Sequence, residues 1–215
     1  MLLFNLFHNI IIIMISDEKK ILRKKIWSFF PQSSYGRIPI FNDAVKAADM
    51  LRRSVEWLNS RYIFVSPDSV QLKIREYVFL DEKTLIMATP KLKNGYLLIN
   101  PDNVKGQEKF AATLGGAFKF GKSIKKLSQV DLMLEGSVAV DLGGGRLGKG
   151  GGFGDQEISH LLNYKSISTS TPIVTLIDEK QIVKNVPREA YDMNINMIVT
   201  PKRIIRINSR GLSKI

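Results

Sequence analysis

Apolar residues recur at helical spacing early in the chain, at Ile21, Leu22, Ile26, Trp27 and Phe30, which predicts a helix from about Ser16 to Phe30. Ser16 or Asp17 is placed to cap it, and the acidic pair Asp17–Glu18 suits its first turn. Pro31 ends it, because proline has no N–H to give and its ring collides with the preceding turn. The same period at Ala44, Val45, Ala48, Leu51, Val55 and Leu58 predicts a second helix from about Asn42 to Leu58. Short apolar, β-branched runs predict strands at Arg61–Val65, Thr84–Ala88, Val130–Val140, Pro172–Ile177, Ile195–Thr200 and Ile204–Ile207, with a further extended piece at Gly95–Asn100. Ser66-Pro67-Asp68 is turn chemistry, and Asp155–Tyr164 reads as a helix. Lys105–Leu127 is basic and mixed and gives no defined element. Strands alternating with helices predict an α/β domain around a largely parallel sheet, and no repeat or linker divides residues 16–215.

Met1–Ile15 is nearly all apolar but shorter than the roughly 20 residues a spanning helix needs. It lacks the basic start and small-residue cleavage site of a signal peptide. The expectation is an appendage that reflects a start assigned upstream of Met14, with a membrane anchor as the alternative and a cytoplasmic location otherwise.

The absence of cysteine excludes disulfides, thiolate metal sites and cysteine nucleophiles, and two histidines, His8 and His160, argue against a zinc site of the usual kind. A formal charge of +12 favours acidic partners: nucleotides, polyphosphates, polyglutamylated substrates, nucleic acid or an anionic surface. No recognisable nucleic-acid motif accompanies that charge, so RNA binding stands as an alternative.

The segment with the most chemistry is Gly143-Gly144-Gly145-Arg146-Leu147-Gly148-Lys149-Gly150-Gly151-Gly152-Phe153-Gly154-Asp155, between a predicted strand and a predicted helix. Glycines leave no Cβ between backbone N–H groups and an anion, and a helix start adds free N–H groups and a positive dipole end. Arg146 and Lys149 add charge. The segment does not end in the Lys-Ser/Thr of the common nucleotide loop and does not match the dinucleotide fingerprint.

In register, Gly144, Arg146, Leu147, Gly148, Gly150, Gly152, Phe153 and Asp155 resemble the signature of the 5-formyltetrahydrofolate cyclo-ligase family. Lys19, Lys20, Leu22, Arg23 and Trp27 resemble its N-terminal helix, and Pro187, Asp192 and Val199-Thr200 fit its C-terminal pattern. Gly36–Phe41, Pro67–Gln71 and Ala88–Gly95 are similar to the methenyltetrahydrofolate-synthetase-domain branch. The resemblance implies a three-layer α/β/α sandwich with a mostly parallel sheet, shared with sugar-phosphate isomerases and CoA transferases. It implies an ATP- and Mg²⁺-dependent enzyme that converts 5-formyltetrahydrofolate, or a related formylated pterin, to the 5,10-methenyl form with ADP and phosphate released. A different reaction on a nucleotide or pterin is the alternative. Arg146 and Lys149 are then expected at the reacting phosphates. Lys20, Arg23, Gly148, Gly150, Gly151, Gly152 and Phe153 would hold the nucleotide, and Asp155 and Asp192 the metal. A monomer or homodimer is expected. Three positions depart from the family pattern: Gly151 stands where lysine is usual, Asn196 replaces a carboxylate, and Ser66–Gln71 holds no match to a folate-contacting glutamate.

Overall fold

The computed structural model describes residues 2–125, 127 and 129–207, and of residues 2–12 and Lys91 the backbone alone. In chain order the elements are α1 (Leu2–Trp27), α2 (Ala44–Arg52), α3 (Val55–Leu58), β1 (Tyr62–Val65), α4 (Leu72–Leu80), β2 (Thr84–Ala88), β3 (Tyr96–Ile99), α5 (Glu108–Ala111), α6 (Leu114–Phe120) and β4 (Lys122–Ile124). They continue as β5 (Leu132–Leu134), β6 (Ala139–Asp141), β7 (Arg146–Leu147), α7 (Phe153–Asn163), β8 (Ile173–Leu176), β9 (Ile182–Val183), β10 (Met197–Val199) and β11 (Ile204–Arg206).

The main sheet has the order β11-β10-β8-β5-β1-β2-β3-β4. Strands β10, β8, β5, β1 and β2 pair in parallel, and the antiparallel strands lie at the two edges. The parallel strands are buried on both faces, so they read as continuous apolar runs rather than alternating ones. Their period of two nevertheless sorts the side chains. Ile63, Val65, Leu85, Met87, Leu132 and Leu134 join Ala48, Leu51, Trp57, Ile74 and Val78 of the helices on one face. Phe64, Ile86, Met133 and Ile198 meet Ile158 and Leu161 of α7 on the other. The result is the expected α/β/α order of layers. Trp57 is wholly buried, and truncating such a side chain to alanine typically costs about 3–5 kcal/mol.

Four expectations need correction. The first helix starts at Leu2, so Ser16 and Asp17 lie inside it rather than capping it. Among the described residues, no helix is long and apolar enough to cross a membrane. The second helix is two: Ser54 accepts a hydrogen bond from the Trp57 N–H and starts α3, which turns the indole into the core. The run Val130–Val140 is also two strands. It leaves the main sheet at Gly136, where a Cβ would fall 2.4 Å from Asp68 Oδ2, and re-forms as β6 in a small sheet β7-β6-β9. The glycine-rich segment is likewise divided. Gly143–Gly145 is a hairpin turn held by Asp141 Oδ1, which accepts from the N–H groups of Gly143 and Gly145, and Arg146 lies in a strand. Only Gly148–Gly152 remains an open loop before α7.

Candidate active site

Strand β1 has β2 on one side and β5 on the other, so the chain reverses its direction of travel across the sheet between β1 and β5. In open parallel sheets ligands settle beyond the carboxyl ends of the strands at such a point. Ser66, Pro67 and Asp68 follow β1 there, Thr89 and Pro90 follow β2, and Glu135 and Gly136 follow β5. These residues line a cavity of about 340 Å³. Its remaining wall is the segment from Arg146 to Glu157, with Ile38 and Leu114 as apolar surface.

Arg146 is the buried centre of this wall, with its side chain only 2% exposed. Its Nη2 donates to Asp155 Oδ1 at 2.7 Å and its Nη1 to the Gly136 carbonyl at 3.1 Å, while Nε has no partner. Burial works against the charge, but Asp155 and Glu135 outweigh it and raise the guanidinium above its ordinary value. Opposite stand two buried carboxyl groups, Glu135 and Glu157, close enough to hydrogen-bond to each other. Burial first, and for Glu135 the neighbouring Glu157 charge second, pushes Glu135 well above the usual carboxylate range. Burial pushes Glu157 up to about 7. Two carboxyls in contact in a low dielectric favour a state in which one keeps its proton. The helix brings this cluster together only because Gly154 is glycine: a Cβ there would lie 2.9 Å from both Arg146 Nη2 and Glu135 Oε2.

Lys149 Nζ bonds Asp68 Oδ1 at 2.7 Å from a half-exposed position, and Ser66 Oγ donates to Asp68 Oδ2. Beside the loop, Arg23 Nε donates to the Gly148 carbonyl at 2.8 Å. Burial lowers the Arg23 guanidinium against the opposing pull of Asp192, Glu189 and Asp155. Lys19 is buried between Glu189 and Asp192.

The structure thus gathers Arg146, Gly148, Lys149, Gly151, Gly152, Phe153 and Asp155 around one cavity; Arg23 reaches the loop through the Gly148 carbonyl, and Gly150, where a Cβ would meet the Arg23 guanidinium at 3.7 Å, does not line it. Lys20 projects into solvent and pairs with Asp17; its neighbour Lys19 takes the buried position. Asp192 does not line the cavity, but the next residue's N–H donates to Asp155 Oδ1. Arg146, expected at the phosphates, is committed to Asp155 and Gly136. Asn196 braces β8: its Oδ1 accepts from the Ile173 N–H and its Nδ2 donates to the Thr171 carbonyl, and it does not line the cavity. At Gly151 a Cβ would meet the Phe153 ring at 2.8 Å, so a longer residue requires that ring to move.

Sequence reasoning missed Glu135, Glu157 and Asp68. The signal was present for Glu135, a lone carboxylate within an apolar run from Leu132 to Val140, since charged residues are rarely fully buried without a purpose.

No group of three or more histidine, aspartate and glutamate side chains suited to a metal occurs among the described residues. Asp155 Oδ2 and Asp192 Oδ1 make no hydrogen bond among those residues, however, because Arg146, Lys19 and backbone N–H groups all use the other oxygen. One or two carboxylates with free oxygens are the usual protein contribution to a magnesium ion carried by substrate phosphates, so these residues fit one.

The model of the 5-formyltetrahydrofolate cyclo-ligase family matches residues 15–201. The chain is 33% identical over 206 residues to a methenyltetrahydrofolate synthase domain-containing protein of Bos taurus, covering 87% of this chain and 53% of that one. It thus spans about half the length of curated relatives such as this one and its Mus musculus counterpart. A 5-formyltetrahydrofolate cyclo-ligase of Escherichia coli is 32% identical over 83 residues, 39% of this chain and 43% of that one. The solved structure of 5,10-methenyltetrahydrofolate synthetase from Aquifex aeolicus superposes with a TM-score of 0.59 at 21% identity, covering 91% of this chain and 96% of that one, and so shares the fold. With a family model that spans most of its length, and with this sheet and cavity, the chain belongs to the 5-formyltetrahydrofolate cyclo-ligase family.

Proposed function

We propose that the chain couples ATP cleavage to cyclisation of 5-formyltetrahydrofolate, or a related formylated pterin, giving the 5,10-methenyl form, ADP and phosphate. The observation that carries this reading is the cavity itself, which joins a buried polar floor at the end of β5 to the backbone of Gly148–Gly152. A heterocycle and a triphosphate would then have adjoining places.

The chemistry needs that adjacency. A formamide oxygen leaves poorly. Its attack on the γ-phosphorus breaks the bond to ADP and makes a phosphate ester. The neighbouring amine nitrogen then attacks the formyl carbon and gives up its proton, and phosphate departs with the former formyl oxygen. Such a sequence asks the protein for positioning and charge neutralisation rather than covalent help. Arg23 is placed for the phosphates, since its Nη groups make no hydrogen bond among the described residues while Nε fixes it to the loop. Lys149 can exchange Asp68 for a phosphate, because the pair is partly exposed and weakly held. Asp155 and Asp192 would hold magnesium, which when bound neutralises charge on the transferring phosphoryl group.

The test is turnover. Purified protein with ATP, magnesium and 5-formyltetrahydrofolate is expected to release ADP and develop methenyl absorbance together. Protein that binds ATP but yields neither product with any formylated pterin overturns the reading.

A further inference from the structure

The main sheet ends at β4, and at that edge lies a second groove, of about 740 Å³, that shares no lining residue with the cavity described above. It is walled by the turn Leu92–Gly95, by β4 and its flanking residues, by Phe118 of α6 and by His160 and Tyr164 at the end of α7. Helix α6 packs through Ala117 on one face of the sheet and α7 through Ile158 and Leu161 on the other. The groove therefore crosses the sheet edge from one helical layer to the other.

Its charge is of one sign. Lys93 and Lys125 line it, and no carboxylate does. The sequence gives the reason: residues 84–101 and 109–130, which build most of the wall, carry two and five lysines and no aspartate or glutamate. Among the described residues neither Lys93 nor Lys125 forms an ion pair, whereas Arg146 and Lys149 at the other cavity both do. A concave surface with uncompensated cations concentrates polyanions. The groove is also aromatic. Phe118 is 46% exposed and Tyr164 42% exposed, and the rings of His160 and Tyr164 lie 6.3 Å apart. Exposed rings beside lysines suit a chain whose flat bases stack while its phosphates meet ammonium groups. A second copy of this chain, also at +12, would be repelled. Strand β4 has three residues, too few to hold a peptide by backbone pairing alone. A duplex keeps its bases stacked on one another and offers none to the rings.

We propose that this groove binds single-stranded nucleic acid, with bases stacked on Phe118 and Tyr164 and phosphates held by Lys93 and Lys125. The site is independent of the cyclo-ligase reading, because it uses none of that cavity's residues.

The test titrates the full chain against fluorescein-labelled single strands of deoxythymidine and of uridine, about ten nucleotides long, by anisotropy across a salt series. One strand or both should bind, more tightly than a duplex of the same length, and affinity should fall steeply as salt rises. Lys93→Gln and Lys125→Gln should each reduce the slope of log affinity against log salt by about 0.7. Phe118→Ala and Tyr164→Ala, at positions exposed enough to leave the fold intact, should each lower affinity about tenfold while ATP affinity stays within about twofold. Wild type that binds neither strand overturns the proposal. So does equal binding of polyglutamate, which has the charge without the bases, or of the duplex. Strand affinity that all four substitutions leave unchanged overturns it too, and so does a parallel loss of ATP affinity, which would put the strand in the other cavity.

Discussion

Arg146→Met tests whether the guanidinium is the counter-ion on which the cavity is built. The change keeps most of the apolar stem and deletes the charge. Two hydrogen bonds go, to Asp155 and to the Gly136 carbonyl. Asp155 keeps its bond from the Met193 N–H, but Glu135 and Glu157 lose the buried cation that faces them. Removing one partner from a buried ionic cluster typically costs about 3–5 kcal/mol, because the remaining charge is stranded in a low dielectric. The cost must depend on pH, since the carboxyls can escape by keeping protons. Glu157 has an ordinary value of 4.5 and a folded value of about 7. Between those limits the native state binds a proton that the unfolded chain has released, so stability is fully present below 4.5 and falls as pH rises through 7. Without Arg146 the folded value moves higher and the fall continues into more alkaline solution. The gap between variant and wild type should therefore widen by roughly 1–2 kcal/mol from about pH 5.5 to about pH 8.5, at up to about 1.4 kcal/mol per pH unit for each extra proton held. Urea unfolding followed by circular dichroism at both pH values, at one ionic strength, reads this directly. Arg146→Lys keeps a charge but not the forked geometry and should recover part of the pH-dependent gap. A cost below about 1 kcal/mol for Arg146→Met, equal at both pH values, would show that the cluster does not lean on this residue.

Gly154→Ala gains up to about 1 kcal/mol of helix propensity but pushes a methyl against Arg146 and Glu135, and overpacking of about 1–3 kcal/mol wins; the melting temperature should fall and pterin affinity with it. Asp141 accepts from the N–H groups of Gly143, Gly145 and Val186 and pairs with Arg188, and these bonds outweigh burial to hold it below its ordinary value of 3.8. Its contribution is present above that value and lost as pH falls, so Asp141→Asn should destabilise by about 1–3 kcal/mol at neutral pH and flatten the acid limb of a thermal-melt pH series. Lys149→Met should cost less than about 1 kcal/mol in urea titrations, as exposed pairs do, yet weaken ATP binding about tenfold by calorimetry; unchanged ATP affinity would remove Lys149 from the phosphate site.

The parallel strands were legible because they are buried on both faces and so remain apolar at every position. Helix α4 was not, for the same reason in reverse. Ile74, Arg75, Tyr77, Val78 and Phe79 are all buried, so no polar stripe marks the helical period. Even its arginine points inward, donating to the carbonyls of Ser66, Asp68 and Ala112, and burial lowers its pKa to about 10. The short α5 and α6 lie in the mixed basic stretch that gave no period at all.

In the candidate site the residue types were legible and their pairings were not. Arg146 was readable as a cation in a glycine-rich segment. That it faces inward depends on β7 pairing with β6, and the chain break at Gly136 that frees Glu135 for the cavity depends on how closely Asp68 approaches. Neither is a local property of the sequence. Lys19 and Lys20 are a different case, because there the spacing did hold the answer. Residues seven apart return to the same face of a helix after about two turns, and Lys19 lies seven before the buried Ile26. Lys20 lies six before it, about 240° around the axis, and it is the one that meets solvent. Choosing between adjacent lysines thus required no structure, only the same periodicity that located the helix, applied to its charged residues as strictly as to its apolar ones.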